Sequence, residues 1–181
     1  ELLWRYASST AAPPLAAVNA ASYSGVMLAP DSIAGLFGSG MASTVQVASG
    51  LPLPTTLAGS QVTVRDATGT ERAAPLFFVS PTQINYLTPS GTAVGPAIVT
   101  VISGDGTVSS AMAEVESVAP GLFTADAGGR GLASAVVLRI KANGEQRYEP
   151  VAVFDNGQGK MAPVAIDPGP QGDQVFLLFY G

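Results

Sequence analysis

The sequence predicts an all-β protein, and three observations carry the prediction. Pro75, Pro81 and Pro89 fall within the sixteen residues from Ala74 to Pro89 and bracket two short apolar runs, Leu76 to Val79 and Ile84 to Leu87. Proline has no N–H for a hydrogen-bond ladder and pushes the residue before it towards extended geometry, so this stretch is two short strands with a corner between them. Elsewhere apolar residues recur at every second position, as in Gln61-Val62-Thr63-Val64-Arg65, and nowhere with the period of an amphipathic helix. Charged residues make up only 12% of the 181-residue chain, and Gly, Pro, Ser, Thr, Ala and Val take their place, which suits twisted sheets joined by tight turns.

Taken in order, Glu1-Leu2-Leu3-Trp4-Arg5-Tyr6 is an apolar start, and residues 1–17 as a whole read as an N-terminal segment and linker, Ala7 to Ala17 being rich in Ala, Ser, Thr and Pro. From Val18 a sandwich is expected. Ser32 to Phe37 is a strand stopped by Gly38-Ser39-Gly40, and Met41 to Thr56, with Gly50 and two prolines, is a loop. Gln61 to Arg65 turns through Asp66-Ala67-Thr68-Gly69 into Thr70 to Ala73. In the central pair, Leu76 to Val79 is apolar throughout, as a strand covered on both faces would be, whereas Gln83-Ile84-Asn85-Tyr86-Leu87 alternates and has one wet face.

Ala97 to Ile102 is the strongest strand, and Ser103-Gly104-Asp105-Gly106 is a hairpin turn with glycine where positive φ is wanted. It leads into Thr107 to Val115, which puts Val108, Ser110, Met112 and Glu114 on one face in an edge-like pattern. Roughly seven short strands without a helix form the pattern of an immunoglobulin-like β-sandwich over residues 18–120. Residues 121–181 follow as a β-meander and a terminal strand. Ala133 to Ile140, a type I′ turn at Asn143-Gly144, Tyr148 to Phe154, a turn at Asp155 to Gly159, and Lys160 to Ile166 make the meander. Val175-Phe176-Leu177-Leu178-Phe179-Tyr180 is the last strand, opening a second sandwich-like unit, and Asp173 to Gly181 echoes Asp31 to Gly38.

The net charge is −5, with eight basic residues scattered singly, which leaves no electrostatic footprint for a phosphate backbone and argues against nucleic acid as a partner. The chain has no cysteine and no histidine, so thiolate nucleophiles, Cys-ligated zinc and the commonest general base drop out together. No run reaches the roughly 18–20 apolar residues of a membrane helix. The acidic, Gly-rich loops at Asp126 and Asp155 lack the alternating ligand spacing of a calcium loop and read as turns. Lys141 and Lys160 are the only lysines; no Ser-x-x-Lys spacing puts either beside a serine nucleophile, and an isopeptide bond to an asparagine is their other conceivable chemistry. Gly128-Gly129-Arg130-Gly131 lacks the Gly-Lys-Ser/Thr ending of a phosphate loop. No catalytic residue, cofactor or metal ligand is therefore assigned, and a non-enzymatic role is expected.

Several short motifs occur together: Asn19-Ala20-Ala21-Ser22; Pro30 with Ser32-Ile33 and Phe37-Gly38; Gly59 with Val62 and Val64; Ala74 to Pro81 with Gln83-Ile84-Asn85; Pro89; Gly95-Pro96-Ala97; and Ala119-Pro120-Gly121-Leu122-Phe123. In this order, across most of residues 19 to 181, they resemble the uncharacterised Solibacter-type C-terminal domain family of large secreted bacterial proteins, which is similar to immunoglobulin-like IPT/TIG sandwiches. The resemblance implies an extracellular or cell-surface module with no assigned activity; members of that family commonly continue after the terminal strand into a further β-rich repeat, and this sequence is expected to depart from them there.

Two segments remain that need cover. Leu2, Leu3, Trp4 and Tyr6 make the chain's start apolar, and in the terminal strand Val175, Leu177 and Phe179 face one way while Phe176, Leu178 and Tyr180 face the other, so both faces are apolar. Burying three such side chains contributes roughly 5–9 kcal/mol, comparable to a domain's net stability. The strand either completes its own sheet or inserts into a neighbouring copy, as in donor-strand addition. The expected function is a structural or adhesive surface module acting through protein–protein contacts, with other copies of itself as partner and a filament as one outcome of head-to-tail contact. The alternative is a carbohydrate-binding module, recognisable by a strip of exposed tyrosines.

Overall fold

The computed structural model describes residues 14–23 and 25–181. It is all-β. The strands are β1 (Ala16–Asn19), β2 (Met27–Leu28), β3 (Ile33–Phe37), β4 (Gln46–Val47), β5 (Thr56–Leu57), β6 (Ser60–Arg65), β7 (Glu71–Ala73) and β8 (Leu76–Val79). They continue with β9 (Gln83–Leu87), β10 (Gly95–Ile102), β11 (Val108–Val115), β12 (Ala135–Ile140), β13 (Gln146–Pro150), β14 (Ala152–Asp155), β15 (Lys160–Pro163) and β16 (Gln174–Phe179). Among the described residues no helix is long and apolar enough to cross a membrane.

Two large sheets enclose one core. The first has the order β1-β3-β9-β8-β4 and the second β2-β11-β10-β6-β5, with β7 pairing β6. Ala34, Leu36, Leu76, Val79, Ile84 and Tyr86 from the first meet Leu28, Val62, Val64, Val99, Val101 and Val115 from the second in a single buried cluster, a two-layer sandwich. The alternation read from β9 holds: Ile84 and Tyr86 are buried, while Gln83 and Asn85 face out and share a side-chain hydrogen bond of 2.9 Å. In β8 the pairing with β9 shifts register between Leu76 and Phe78, and this bulge lets Leu76 and Val79, three residues apart, both reach the core. Ser80 makes the corner: its hydroxyl accepts from the Gln83 N–H at 2.9 Å and its own N–H donates to the Gln83 carbonyl at 2.8 Å.

β11 turns Val108, Ser110, Met112 and Glu114 outward, and Ser109, Ala111, Ala113 and Val115 inward. The edge-like reading holds for most of it: β2 pairs with it in parallel only at its end, Glu114↔Met27 and Val115↔Leu28, and no described strand pairs with the outer side of Val108 to Ala113. The expected loop from Met41 to Thr56 also contributes a two-residue strand, β4, against β8.

The region after Pro120 departs from the expected meander. β12 and β13 form a hairpin with β16 on the other side of β12, while β14 and β15 form a separate two-stranded sheet. The expected single strand from Tyr148 to Phe154 is thus two strands in two sheets, divided at Pro150 and Val151. Pro150 cannot extend a ladder as a donor, and the Val151 carbonyl is already taken by the Val164 N–H at 2.8 Å. The turn between β12 and β13 differs too. Gly144 has φ +84° but Asn143 keeps a negative φ, and the Lys141 N–H donates to the Glu145 carbonyl at 2.9 Å, so this is a type I turn with a glycine bulge rather than type I′. The hairpin at Ser103 to Thr107 has the same hydrogen bonds, with Gly106 at φ +85°.

Two of the motifs quoted above, distant in sequence, meet. The Asn19 side chain accepts the Ala21 N–H at 2.9 Å and donates to the Ala119 carbonyl at 3.0 Å. That bond ties β1 to the segment that leads into the C-terminal sheets.

Candidate interaction surface

β16 contains no charge, glycine or proline from Gln174 to Phe179, and its apolar side chains favour extended backbone. Both its ends are fastened. At the entry, Asp173 Oδ2 lies 3.6 Å from Arg139 Nη1. At the exit, the Tyr180 N–H donates to the Ser134 carbonyl at 3.0 Å and the Phe123 N–H donates to the Tyr180 carbonyl at 2.9 Å.

Between these points β16 runs antiparallel to β12, from Ile140↔Gln174 to Ala135↔Phe179. The C-terminal run therefore pairs within its own chain. Pairing covers one edge of it and neither face. Phe176, Leu177, Leu178, Phe179 and Tyr180 remain 46%, 42%, 39%, 51% and 51% exposed, and Val175 is half-buried.

The register sorts the sheet into two faces. On one, Tyr148, Leu138 and Phe176 lie in a row beside Pro150, Val136 and Leu178, with Tyr180 on the same side, and Tyr148 is 67% exposed. On the other, Val137 is buried, but Leu177 and Phe179 line an open apolar cavity of about 210 Å³ with Val151, Val164 and Ile166. The expected division of Val175, Leu177 and Phe179 from Phe176, Leu178 and Tyr180 is the observed one. Leu2, Leu3, Trp4 and Tyr6, the other expected contact residues, lie outside the described residues.

Sequence reasoning passed over Val136, Leu138 and Tyr148 as part of this surface, because their neighbours across the sheet follow only from register. It also passed over Arg139, which is buried and fastens the sheet. Arg139 Nε and Nη2 donate to the Glu149 carboxylate at 2.7 and 3.0 Å, and Nη2 donates to the Asp167 carbonyl at 2.7 Å. The Arg139 hydrogen bond holds the Glu149 carboxyl below the usual range and the guanidinium above its own. A signal was present: Arg139 has the same strand parity as buried Val137, so an alternating reading points it inward with a counter-charge required.

The other candidate chemistry resolves into turns. Asp126 Oδ1 accepts the Gly128 N–H at 2.9 Å, which lowers its pKa, and the Gly129 N–H donates to Thr124 Oγ1 at 3.0 Å, so these amides are already engaged. Asp155 Oδ1 accepts the Gly157 N–H at 2.8 Å. Lys141 Nζ is paired with Glu145 at 2.9 Å. Among the described residues no group of three or more His, Cys, Asp or Glu could hold a metal ion. A cavity of about 520 Å³ lies where Asn19, Phe77, Gly121 and Phe123 meet, and Asp31 is the titratable side chain in its lining.

Comparison with known proteins finds no matching family model, no matching curated protein and no matching solved structure.

Proposed function

We propose that the chain is a non-enzymatic structural or adhesive module of the cell exterior that works through protein–protein contacts, with β16 as the contact element. The observation that carries this reading is the exposure of apolar side chains on both faces of one uncharged strand. Such a strand is an aggregation hazard when left bare and an interface when covered. Another copy of the chain supplies cover without requiring a second gene product. If β16 of one subunit meets a different surface of the next, the contact does not close and a filament grows.

The double variant Phe176→Lys, Leu178→Lys tests this. Both positions are exposed, so the melting temperature should stay within about 2 °C of the parent. Association read by sedimentation and electron microscopy should be lost. A parent chain that stays monomeric at high concentration, or a variant that assembles as the parent does, overturns the reading.

A second reading, carbohydrate recognition, is supported by one arrangement: Tyr148, Phe176 and Tyr180 are exposed on the same face of the C-terminal sheet. Aromatic rings on a flat face can stack on pyranose rings. Glycan binding by the isolated monomer, abolished by Tyr148→Ala, would favour it over self-association.

A further inference from the structure

The two edges of the β13-β12-β16 sheet have opposite character. β13 carries Arg147 and Glu149 and ends in Pro150, the features by which an edge strand resists pairing with another chain. β16 has six residues and none of those features. The outermost strands of the large sheets are short, β2, β4 and β5 of two residues each and β1 of four, and β2 leaves the outer side of Val108 to Ala113 in β11 without a described partner strand. Because the Tyr180 N–H donates towards β12, strand alternation turns the backbone groups of Val175, Leu177 and Phe179 towards the free side.

The first sheet contains the same pair in completed form. β3, like β16, is uncharged and runs antiparallel to the strand beside it, β1, and both lead through an aromatic residue to glycine: Phe37, the last residue of β3, precedes Gly38, and Tyr180, just past β16, precedes Gly181. β3 is not at an edge. β9 lies against its far side, from Ile33↔Leu87 to Phe37↔Gln83, and Ala34 and Leu36 are fully buried. β12 and β16 repeat the β1–β3 half of this arrangement, and no described strand lies on the far side of β16.

We propose that the free edge of β16 is a strand-acceptor site, and that its occupant is an extended antiparallel segment of another polypeptide with the pattern of β9, Gln83-Ile84-Asn85-Tyr86-Leu87. This rests on the reading of the chain as a protein–protein contact module. Main-chain hydrogen bonds to Val175, Leu177 and Phe179 supply the attachment, and alternation supplies the selectivity. Every second side chain of the occupant packs beside Leu177 and Phe179 above the cavity they share with Val151, Val164 and Ile166. The occupant is uncharged at those positions, since β16 offers no counter-charge, and it has no internal proline.

The test appends the heptapeptide Thr82 to Thr88 to Gly181 through a short Gly-Ser linker, which keeps its effective concentration high. Hydrogen exchange at the Val175, Leu177 and Phe179 amides should slow about tenfold or more. Self-association should disappear, and a tail with proline in place of its isoleucine and tyrosine should do neither. Unchanged exchange with association intact overturns the acceptor site and leaves the contact reading standing. Protection by the tail in a chain that never associates supports the acceptor site and overturns self-association. Protection of the same three amides in the untailed, associated protein, with two β16 strands paired, assigns the occupant to a second copy and overturns the proposed pattern.

Discussion

Arg139 and Glu149 are joined by two parallel hydrogen bonds, Nε to Oε1 at 2.7 Å and Nη2 to Oε2 at 3.0 Å, diagonally across β12 and β13. The same guanidinium holds the Asp167 carbonyl and faces Asp173, so one cation fastens β12, β13, the segment before β16 and the entry to β16. Removing it leaves acidic groups without their partner. Arg139→Ala is expected to lower the melting temperature by on the order of 10 °C. Arg139→Lys should recover only part of the loss, because an ammonium cannot reproduce the forked geometry. Calorimetry of the two variants checks both statements.

Asp66 gives the sandwich a pH dependence. Its carboxylate accepts from the Thr68 hydroxyl and N–H, the Thr70 and Ala93 N–H groups and Arg72 Nη1, at 2.6 to 3.1 Å. These bonds, the Thr68 hydroxyl first among them, hold its pKa far below the ordinary carboxylate range. The folded pKa is depressed, so in acid the unfolded chain binds the extra proton. Stability is complete above about pH 5 and falls as pH drops below about 4. Asp66→Asn should lower the melting temperature at neutral pH and flatten the acid slope. Thermal melts across the acid range measure both.

Much of this was legible in the sequence where a strand has one wet face. β6 and β9 announced their inward residues by alternation, and β11 its two faces, since a period of two survives any detail of packing. Pairing was less legible. Pro150 is compatible with an edge strand or with a break between strands, and only the three-dimensional register shows that it does both. The terminal run was identifiable from its apolar residues on both faces, but the same residues fit β12 in its own chain or a neighbour's edge equally well. The charges that set the β13 edge apart from the β16 edge lie on Arg147 and Glu149, residues that gave no functional signal in isolation.

Asn19 and Gly121 form a contact that a double-mutant cycle can read. A Cβ on Gly121 would come 2.6 Å from Asn19 Oδ1 and 3.0 Å from the Ala21 Cβ, so Gly121→Ala must displace the side chain that bonds Ala119 and Ala21. Asn19→Ala alone deprives the buried Ala21 N–H of its acceptor and should cost about 1–3 kcal/mol. In the double variant the methyl group replaces a contact already lost. The combined loss should be smaller than the sum of the two single losses by 0.5 kcal/mol or more, the scale of coupling between touching residues, as measured by denaturant titration.

Tyr86 is fully buried in the centre of the sandwich, and its hydroxyl has no hydrogen-bond partner among the described residues. Burial of that hydroxyl pushes its pKa well above the ordinary tyrosine value. Removing the oxygen while keeping the ring should therefore be neutral or stabilising, by up to about 1 kcal/mol. The alkaline limb gives an independent reading. With the folded pKa raised, the unfolded chain ionises first as pH passes about 10, and the folded state loses ground from there upward. Tyr86→Phe should remove that contribution, so the variant and the parent diverge most at high pH. A variant that melts lower than the parent at neutral pH would mean that the hydroxyl is satisfied, and denaturant midpoints at neutral and alkaline pH decide between the outcomes.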